Sequence, residues 1–205
     1  MKNVTKSLTK QCGFSLIELL IASAMGIVLL TLVGSVFLSG QTFALERSKQ
    51  LMLAQDLNDA IRLIKTDAQR AGYNSNNSGS LVLSGALSTL HVADNRLSYI
   101  YEDENNKWRI VEYRVSGAST TLQMCEDIKD KGSIPIPVSA SCGPGTVSSL
   151  IDPTYFSLSD FTLTPTQLVT SSATSTLLNI SITASLANSG YSKTVSTTIK
   201  ARNWK

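Results

Sequence analysis

A single long apolar segment near the N-terminus constrains this chain more than any other feature. From Phe14 to Ala44, the only ionisable side chain is Glu18. The segment contains no proline and exceeds the roughly 20 residues that a helix needs to span the hydrocarbon core of a bilayer. We therefore predict a membrane-spanning helix over residues 14–45.

Two other targeting signals also contain an apolar segment near the N-terminus and are compared with this sequence. Ala22, Ser23 and Ala24 form a small-x-small pattern like that of a secretory cleavage site, but the apolar run continues beyond it. A lipoprotein signal would place its cysteine after the apolar run, whereas Cys12 precedes it. Both signals therefore fit the sequence less well than an apolar helix that is retained.

The charge distribution separates the N-terminus from the rest of the chain. The 205 residues carry a formal charge of +3, and Lys2, Lys6 and Lys10 supply this excess within residues 1–13, which contain no acid. Positive charge holds an N-terminus on the cytoplasmic side of a membrane. The remaining residues balance at 15 basic and 15 acidic side chains, so the charge indicates no nucleic-acid partner. The length suits one globular head with an appendage.

Beyond Leu45 the chain becomes charged without a helix breaker. Apolar residues recur at steps of three and four and define one helix face: Leu53, Leu57, Ile61, Ile64, Ala68 and Ala71. We predict an unbroken helix from Phe14 to Ala71, about 87 Å long at 1.5 Å per residue, with Gly72 ending it. A separate amphipathic helix, joined flexibly near Gly40, is the alternative. Residues 46–72 would form the spine on which the head packs.

Alternating apolar residues predict strands in residues 73–205. Residues 81–115 have strand character and include a hairpin, with Leu97, Tyr99 and Tyr101 before a turn at 102–106. Residues 155–164 indicate another strand. Alternation over 178–186, an Asn-Ser-Gly turn and a second run through Ile199 indicate a further hairpin. The predicted fold class is α+β: a long N-terminal helix, transmembrane in its first half, with an antiparallel β-sheet head packed on its second half.

The segment that leads into the apolar helix carries the most specific motif, Lys10-Gln11-Cys12-Gly13-Phe14-Ser15-Leu16-Ile17-Glu18. A glycine, an aromatic residue and a glutamate at this spacing closely resemble the class III signal of type IV pilins and type II secretion pseudopilins. The resemblance implies that a prepilin peptidase/methyltransferase removes the leader, residues 1–13, by cutting after Gly13. It also implies that the same enzyme methylates the new N-terminal amine of Phe14.

Glu18 has a physical cost that calls for a partner. A carboxylate at the centre of a bilayer costs about 2.5–3.5 kcal/mol on insertion scales. Cleavage before Phe14 would expose an amine about 6 Å along the helix axis from Glu18. In an apolar filament core, Glu18 of one subunit and this amine of its neighbour could neutralise each other. A glutamate at the headgroup boundary without a partner is the alternative.

Two of the three cysteines, Cys125 and Cys142, would remain after removal of the leader with Cys12. They flank a segment rich in proline, glycine and serine, which a disulfide would close in an oxidising periplasm. The chain-entropy relation gives about 3 kcal/mol for such a loop. Two free thiols are the alternative, and zinc would lack a complete ligand set.

The sequence gives little indication of catalysis. His91 is the only histidine, and its strand-like setting suggests a structural or exposed role. The acid pairs Glu102/Asp103 and Glu126/Asp127 lie in hydrophilic stretches and are interpreted as solvated surface. No phosphate-binding loop or nucleophile elbow occurs. We therefore expect no enzyme activity, no cofactor and no metal.

Within the pilin-like group, two segments resemble the PilW-type minor pilins: Asp-Ala-Gln-Arg-Ala-Gly-Tyr-Asn at 67–74 and Ala-Arg-Asn-Trp-Lys at 201–205. The resemblance implies a bacterial inner-membrane protein with its N-terminus in the cytoplasm and its head in the periplasm, which later enters a pilus. Implied partners are other minor and major pilins, the inner-membrane assembly platform and inner-membrane lipids. The implied role is the start of pilus assembly at the tip. A J-type minor pseudopilin of type II secretion and a membrane-tethered adhesin are the alternatives.

Overall fold

The structure, a computed structural model, describes residues 15–76, 79–116, 120–132, 136–138, 146–169, 174–187 and 189–201. Within these ranges, one helix precedes eight strands. In chain order these elements are α1 Leu16–Ala68, β1 His91–Ala93, β2 Arg96–Glu102, β3 Trp108–Val115, β4 Leu122–Lys129, β5 Thr146–Ser149, β6 Phe156–Val169, β7 Thr174–Leu186 and β8 Ser192–Lys200. The predicted α+β class is therefore confirmed.

Helix α1 contains 53 residues and passes through Gly40 without a break. It ends at Ala68, three residues before the predicted Ala71, because its last turn tightens. Arg70 and Ala71 donate to carbonyls only three residues back, and the N–H of Gly72 donates to the Ile100 carbonyl of β2 instead of to the helix. Gly72 adopts a φ of 82°, which glycine tolerates at a helix end.

The chain divides into two compact units, one ending at Ser48 and the other beginning at Lys49. In the second unit, the predicted apolar face of the helix is confirmed. Every member of that face is at most 8% exposed: Leu53, Leu57, Ile61, Ile64, Ala68 and Ala71. These side chains form one core with the strands.

The strands form two antiparallel sheets, where the sequence had indicated one. The first sheet has five strands in the order β1-β2-β3-β4-β5, and the second has three in the order β6-β7-β8. Both predicted hairpins are confirmed as the pairs β2–β3 and β7–β8. Asn188 of the predicted Asn-Ser-Gly turn and residues 202–205 lie outside the described residues.

The first sheet is covered on both faces. On one face, Leu97, Tyr99 and Tyr101 belong to the main core that includes the helix. On the other face, Ile100 and Ile110 pack in a smaller cluster with Trp108, Leu83 and Ile136. Strands β2 and β3 are thus buried on both faces, although the alternation in β2 and the turn after it were enough to predict their hairpin.

One expectation about strands was wrong and two strands were not predicted. Residues 81–90 form no strand and hold only an isolated bridge from Ser84 to Pro137, since Gly85 turns the backbone with a φ of 94°. Strand β4 was not predicted, because four of its eight residues are polar and do not alternate regularly with the apolar ones. Strand β5 is short and exposed, so it also lacks an apolar signal.

Candidate functional site

The predicted processing site lies at the N-terminal edge of the structure. Gly13 and Phe14 lie outside the described residues, whereas Glu18 lies in the first turn of α1. The Glu18 N–H donates to the Ser15 carbonyl over 3.0 Å. An acidic side chain in the first turn interacts favourably with the N-terminal end of the helix dipole. The position of Glu18 is thus compatible with a helix that begins close to the predicted mature N-terminus.

The first part of α1 exposes an apolar surface around its whole circumference. Between Leu16 and Leu45, the large apolar side chains are 53% to 76% exposed. Among the described residues, α1 is the one helix long and apolar enough to cross a membrane. A helix that is apolar all round requires an apolar surrounding, either lipid or other helices.

The serine and threonine hydroxyls within this apolar stretch are satisfied by the helix itself. Each serine or threonine hydroxyl between residues 16 and 45 donates to a backbone carbonyl three or four positions earlier, at 2.8 to 2.9 Å. An unsatisfied polar group in hydrocarbon costs several kcal/mol, on the order of 2–7. The local hydrogen bonds therefore adapt this stretch to an apolar environment.

In the head, the end of the helix is fixed to the first sheet through Asp67. The Tyr99 hydroxyl donates to Asp67 Oδ2 over 2.6 Å, and the Tyr101 hydroxyl donates to Asp67 Oδ1 over 2.8 Å. Arg109 lies opposite Tyr101 in the sheet register and forms an ion pair with Glu126. The two hydrogen bonds join α1 to β2, and the ion pair joins β3 to β4.

The tyrosines of this network remain protonated at neutral pH. Burial raises the pKa of Tyr99 well above its ordinary value, and Tyr113 and Asp67 nearby raise it further. Burial also raises the pKa values of Tyr101 and Tyr113, and Asp67 adds to both effects. A phenol held in this way donates a hydrogen bond and cannot act as a base near pH 7. The hydroxyls of this network therefore act as hydrogen-bond donors at neutral pH.

Glu102 is a buried carboxylate on the opposite face of the same sheet. Its side chain is only 1% exposed. It accepts hydrogen bonds from the Ser75 N–H at 3.0 Å, the Ser75 hydroxyl at 2.6 Å and the Lys131 ammonium at 2.6 Å. Burial alone would raise the pKa of Glu102, but the bonds from Lys131 and Ser75 lower it below its ordinary value. The Lys131 ammonium also lies 5.5 Å from the centroid of the Trp108 ring.

The interpretation of the two acid pairs as solvated surface was wrong for Glu102, Glu126 and Asp127. Glu102 is buried by partners far away in sequence, and Glu126 pairs with Arg109. Asp127 pairs with Lys129, and its side chain is only 13% exposed. A signal for Glu102 did exist in the sequence. Ile100 and Ile110 occupy the same face as Glu102, and apolar residues there indicate that this face is covered.

A cleft of about 570 Å³ opens beside the turn between β2 and β3. Arg70 and Tyr73 line it from the segment that follows α1, and Glu104, Asn105 and Asn106 line it from the turn. Asp103 Oδ1 accepts hydrogen bonds from the N–H groups of Asn105 and Lys107, which fixes the turn. The sequence did not predict the cleft, because the residues on its two sides are far apart in the sequence and come together only in the folded protein.

The remaining predicted residues lie in the first sheet or outside the described residues. Cys125 is fully buried in β4, whereas Cys142 lies outside the described residues, so their pairing stays a prediction. His91 lies in β1 beside Arg96 and Glu112 at a second, polar cleft. Across the described ranges, no group of three histidine, cysteine or acidic residues could hold a metal ion.

Comparison with known proteins gives two family matches. Residues 46–201 match the family model described as Prepilin peptidase-dependent protein B. Residues 8–34 match the Prokaryotic N-terminal methylation motif. No curated protein and no solved structure matches the chain. The first match covers the spine and the head, and the second covers the predicted processing site and much of the apolar stretch.

Proposed function

This chain belongs to the prepilin peptidase-dependent protein B family, and from that membership we propose that it is a minor pilin of a type IV pilus. In the finer form of the proposal it is a PilW-type subunit that acts at the pilus tip, where assembly begins. It would associate there with other minor pilins and with the major pilin. Its function would be structural, without a chemical reaction of its own.

The proposal rests on the two family matches taken together with the properties of helix α1. The methylation motif and the family match make the chain a type IV pilin-like protein whose processing depends on prepilin peptidase. The apolar part of α1 supplies a membrane anchor, and its later turns supply the core of the head. The same helix would therefore serve both storage in the membrane and assembly into a filament.

The proposed processing removes residues 1–13 by cleavage between Gly13 and Phe14, followed by methylation of the Phe14 amine. Residues 14–45 then form the membrane and assembly helix, 46–72 the spine and 73–205 the head. Before assembly the chain would cross the bacterial inner membrane once, with its head in the periplasm. The partners in this stage are the peptidase, the membrane lipids and the inner-membrane assembly platform.

Glu18 is the proposed docking group for assembly. It is the only acid between Leu16 and Leu45, where the surrounding side chains are exposed and apolar. Removal of one partner from a buried ion pair costs about 3–5 kcal/mol in proteins. Pairing with the Phe14 amine of an adjoining subunit would thus favour the assembled state over isolated subunits.

Co-purification of partner pilins from membranes tests this role. We expect Glu18→Val to be processed and inserted but to recover much less of the partner pilins than the wild type does. Glu46→Val is the matched control, since Glu46 is the next acid along α1 and lies beyond the apolar stretch. Equal recovery with both variants would contradict the docking role. Recovery of secretion pseudopilins in place of pilus subunits would favour the J-type alternative.

We also propose a Cys125–Cys142 disulfide in the exported head. Cys125 lies opposite Glu112 in the register of β3 and β4, where a covalent bond would tie the buried sheet to the segment beyond Pro137. Closure of the loop contributes about 3 kcal/mol by the chain-entropy relation. Peptide mapping under non-reducing conditions should find the two cysteines in one linked species. Two free thiols in freshly isolated protein would refute the pairing.

A further inference from the structure

The cleft beside the β2–β3 turn has the features of a ligand site that membership in the pilin-like class does not explain. We propose that it binds a neutral saccharide. Its volume of about 570 Å³ falls within the range of about 300–1,000 Å³ that is usual for small-molecule sites. The inference does not depend on the proposed role in pilus assembly.

The charges around the cleft are nearly balanced, which disfavours a charged ligand. Glu102 is neutralised by Lys131, and Arg109 is paired with Glu126. Arg70 and Glu104 bring one further charge of each sign to the lining, and Asp103 leaves one acid in excess. One Asp103 oxygen already accepts two backbone N–H groups of the turn, so the lining creates no strong field for a metal cation, and its small negative excess does not attract a phosphate.

The polar groups offer both donors and acceptors, as a polyhydroxylated ligand requires. Arg70 presents donors only, Glu104 acceptors only, and the amides of Asn105 and Asn106 present both. A sugar hydroxyl both donates and accepts, so neighbouring hydroxyls of one ring can be satisfied by this mixture. The turn residues are exposed, so a ligand can reach them from solvent.

Tyr73 supplies the apolar contact that a sugar ring needs. Its side chain is 38% exposed and lines the cleft. The Tyr73 backbone is held in place, since its carbonyl accepts the N–H of Glu102 at 3.0 Å. An aromatic ring on a fixed backbone offers apolar contact area at a low entropic cost, and the C–H face of a sugar can pack on it.

The test uses the full-length protein in a detergent without a sugar headgroup. Three neutral trisaccharides serve as probes: maltotriose, triacetylchitotriose and a β-linked galactotriose. Saturation-transfer NMR should detect binding of at least one of them, and calorimetry should give its Kd. Inorganic phosphate is the charged comparison, and we expect it to leave the sugar signal unchanged.

Two cleft variants and one matched control assign the binding to this place. Tyr73→Ala and Asn105→Ala should each weaken binding, the former by about tenfold. Tyr155→Ala should not, because Tyr155 is also exposed, at 47%, but does not line the cleft. Asn105 lies in an exposed turn, so its variant remains informative if Tyr73→Ala folds poorly. Absence of binding by the wild type, binding retained in both cleft variants, or displacement by phosphate would overturn the proposal.

Discussion

The two parts of α1 differ in how their apolar side chains are kept from water. From Leu16 to Leu45 the apolar side chains are exposed on all sides, whereas from Leu53 to Ala68 they occupy one face that is buried in the head. The narrow stripe is covered by sheets of the same chain, whereas no described residue covers the apolar window of the first part. The first part therefore depends on lipid or on neighbouring helices for its environment, and the second part does not.

Polar groups follow the same division. In the first part, hydroxyls bond to carbonyls of their own helix, as Ser23 does to Leu20. In the second part, Asp67 bonds to hydroxyls of another element, Tyr99 and Tyr101. Local bonds keep a helix independent of any particular neighbour, whereas non-local bonds fix it to one. The contrast fits a first part that moves from the membrane into a filament and a second part that stays packed in the head.

Truncation of one leucine in each part should have the most unequal effects. Leu57 is fully buried, so Leu57→Ala should destabilise the head by about 2–5 kcal/mol through lost burial and a cavity. Leu29→Ala removes the same atoms from a side chain that is 61% exposed and should leave unfolding of the head unchanged. Urea unfolding of the full-length protein in detergent, followed by tryptophan fluorescence, measures both. Similar losses in the free energy of unfolding for the two variants would contradict this difference between the two parts of α1.

Removal of the buried charge of Glu102 should give the next largest loss in the free energy of unfolding. Glu102→Gln should cost about 1.5–3 kcal/mol at pH 7, the usual worth of hydrogen bonds to a charged group. Because the folded pKa of Glu102 lies below its ordinary value of 4.5, its contribution is present above pH 4.5 and is lost as the pH falls through the folded pKa. The difference from wild type should therefore shrink in acid.

Glu104→Gln is the control for this experiment, since Glu104 is exposed in the adjacent turn. Its free energy of unfolding should match that of the wild type across the same pH range. If the loss in the free energy of unfolding caused by Glu102→Gln stays constant from pH 7 to acid, the ionised carboxylate does not stabilise the head.

The smallest effect is expected at the contact between helix and sheet. Asp67→Asn keeps one acceptor for the tyrosine hydroxyls but weakens the bonds by removing the charge, at a cost of about 0.5–1.5 kcal/mol. Asp59→Asn changes an exposed acid of the same helix and should cost less. The same urea experiment compares the two. If Asp59→Asn were the more harmful variant, Asp67 would not anchor the spine.

The sequence predicted the elements whose apolar residues recur at one regular interval. The helix face that includes Leu53 and Ile64 was predicted correctly, because an interval of three or four residues has a single structural explanation. The hairpin of β7 and β8 was predicted for the same reason, with an alternation of two. Strand β4 was missed, because neighbours on both faces bury or pair its polar residues.

The candidate site was predictable only where its residues are adjacent in sequence. The motif from Gly13 to Glu18 is contiguous, so its pattern could be recognised. Glu102 receives its partners from Ser75 and Lys131, which lie 27 and 29 residues away. No local pattern identifies such partners, because they meet only after the sheet and its covering segments have formed.

The mass of the mature N-terminal peptide tests the central claim most directly. Protein isolated from membranes of cells that contain prepilin peptidase should begin at Phe14 and carry one methyl group on its amine. In the Gly13→Ala variant, cleavage should persist better than with a larger residue, since the peptidase must approach the backbone closely at this position. A protein that still begins at Met1, or that begins at Met25 inside the apolar stretch, would contradict the assignment of residues 1–13 as a prepilin leader.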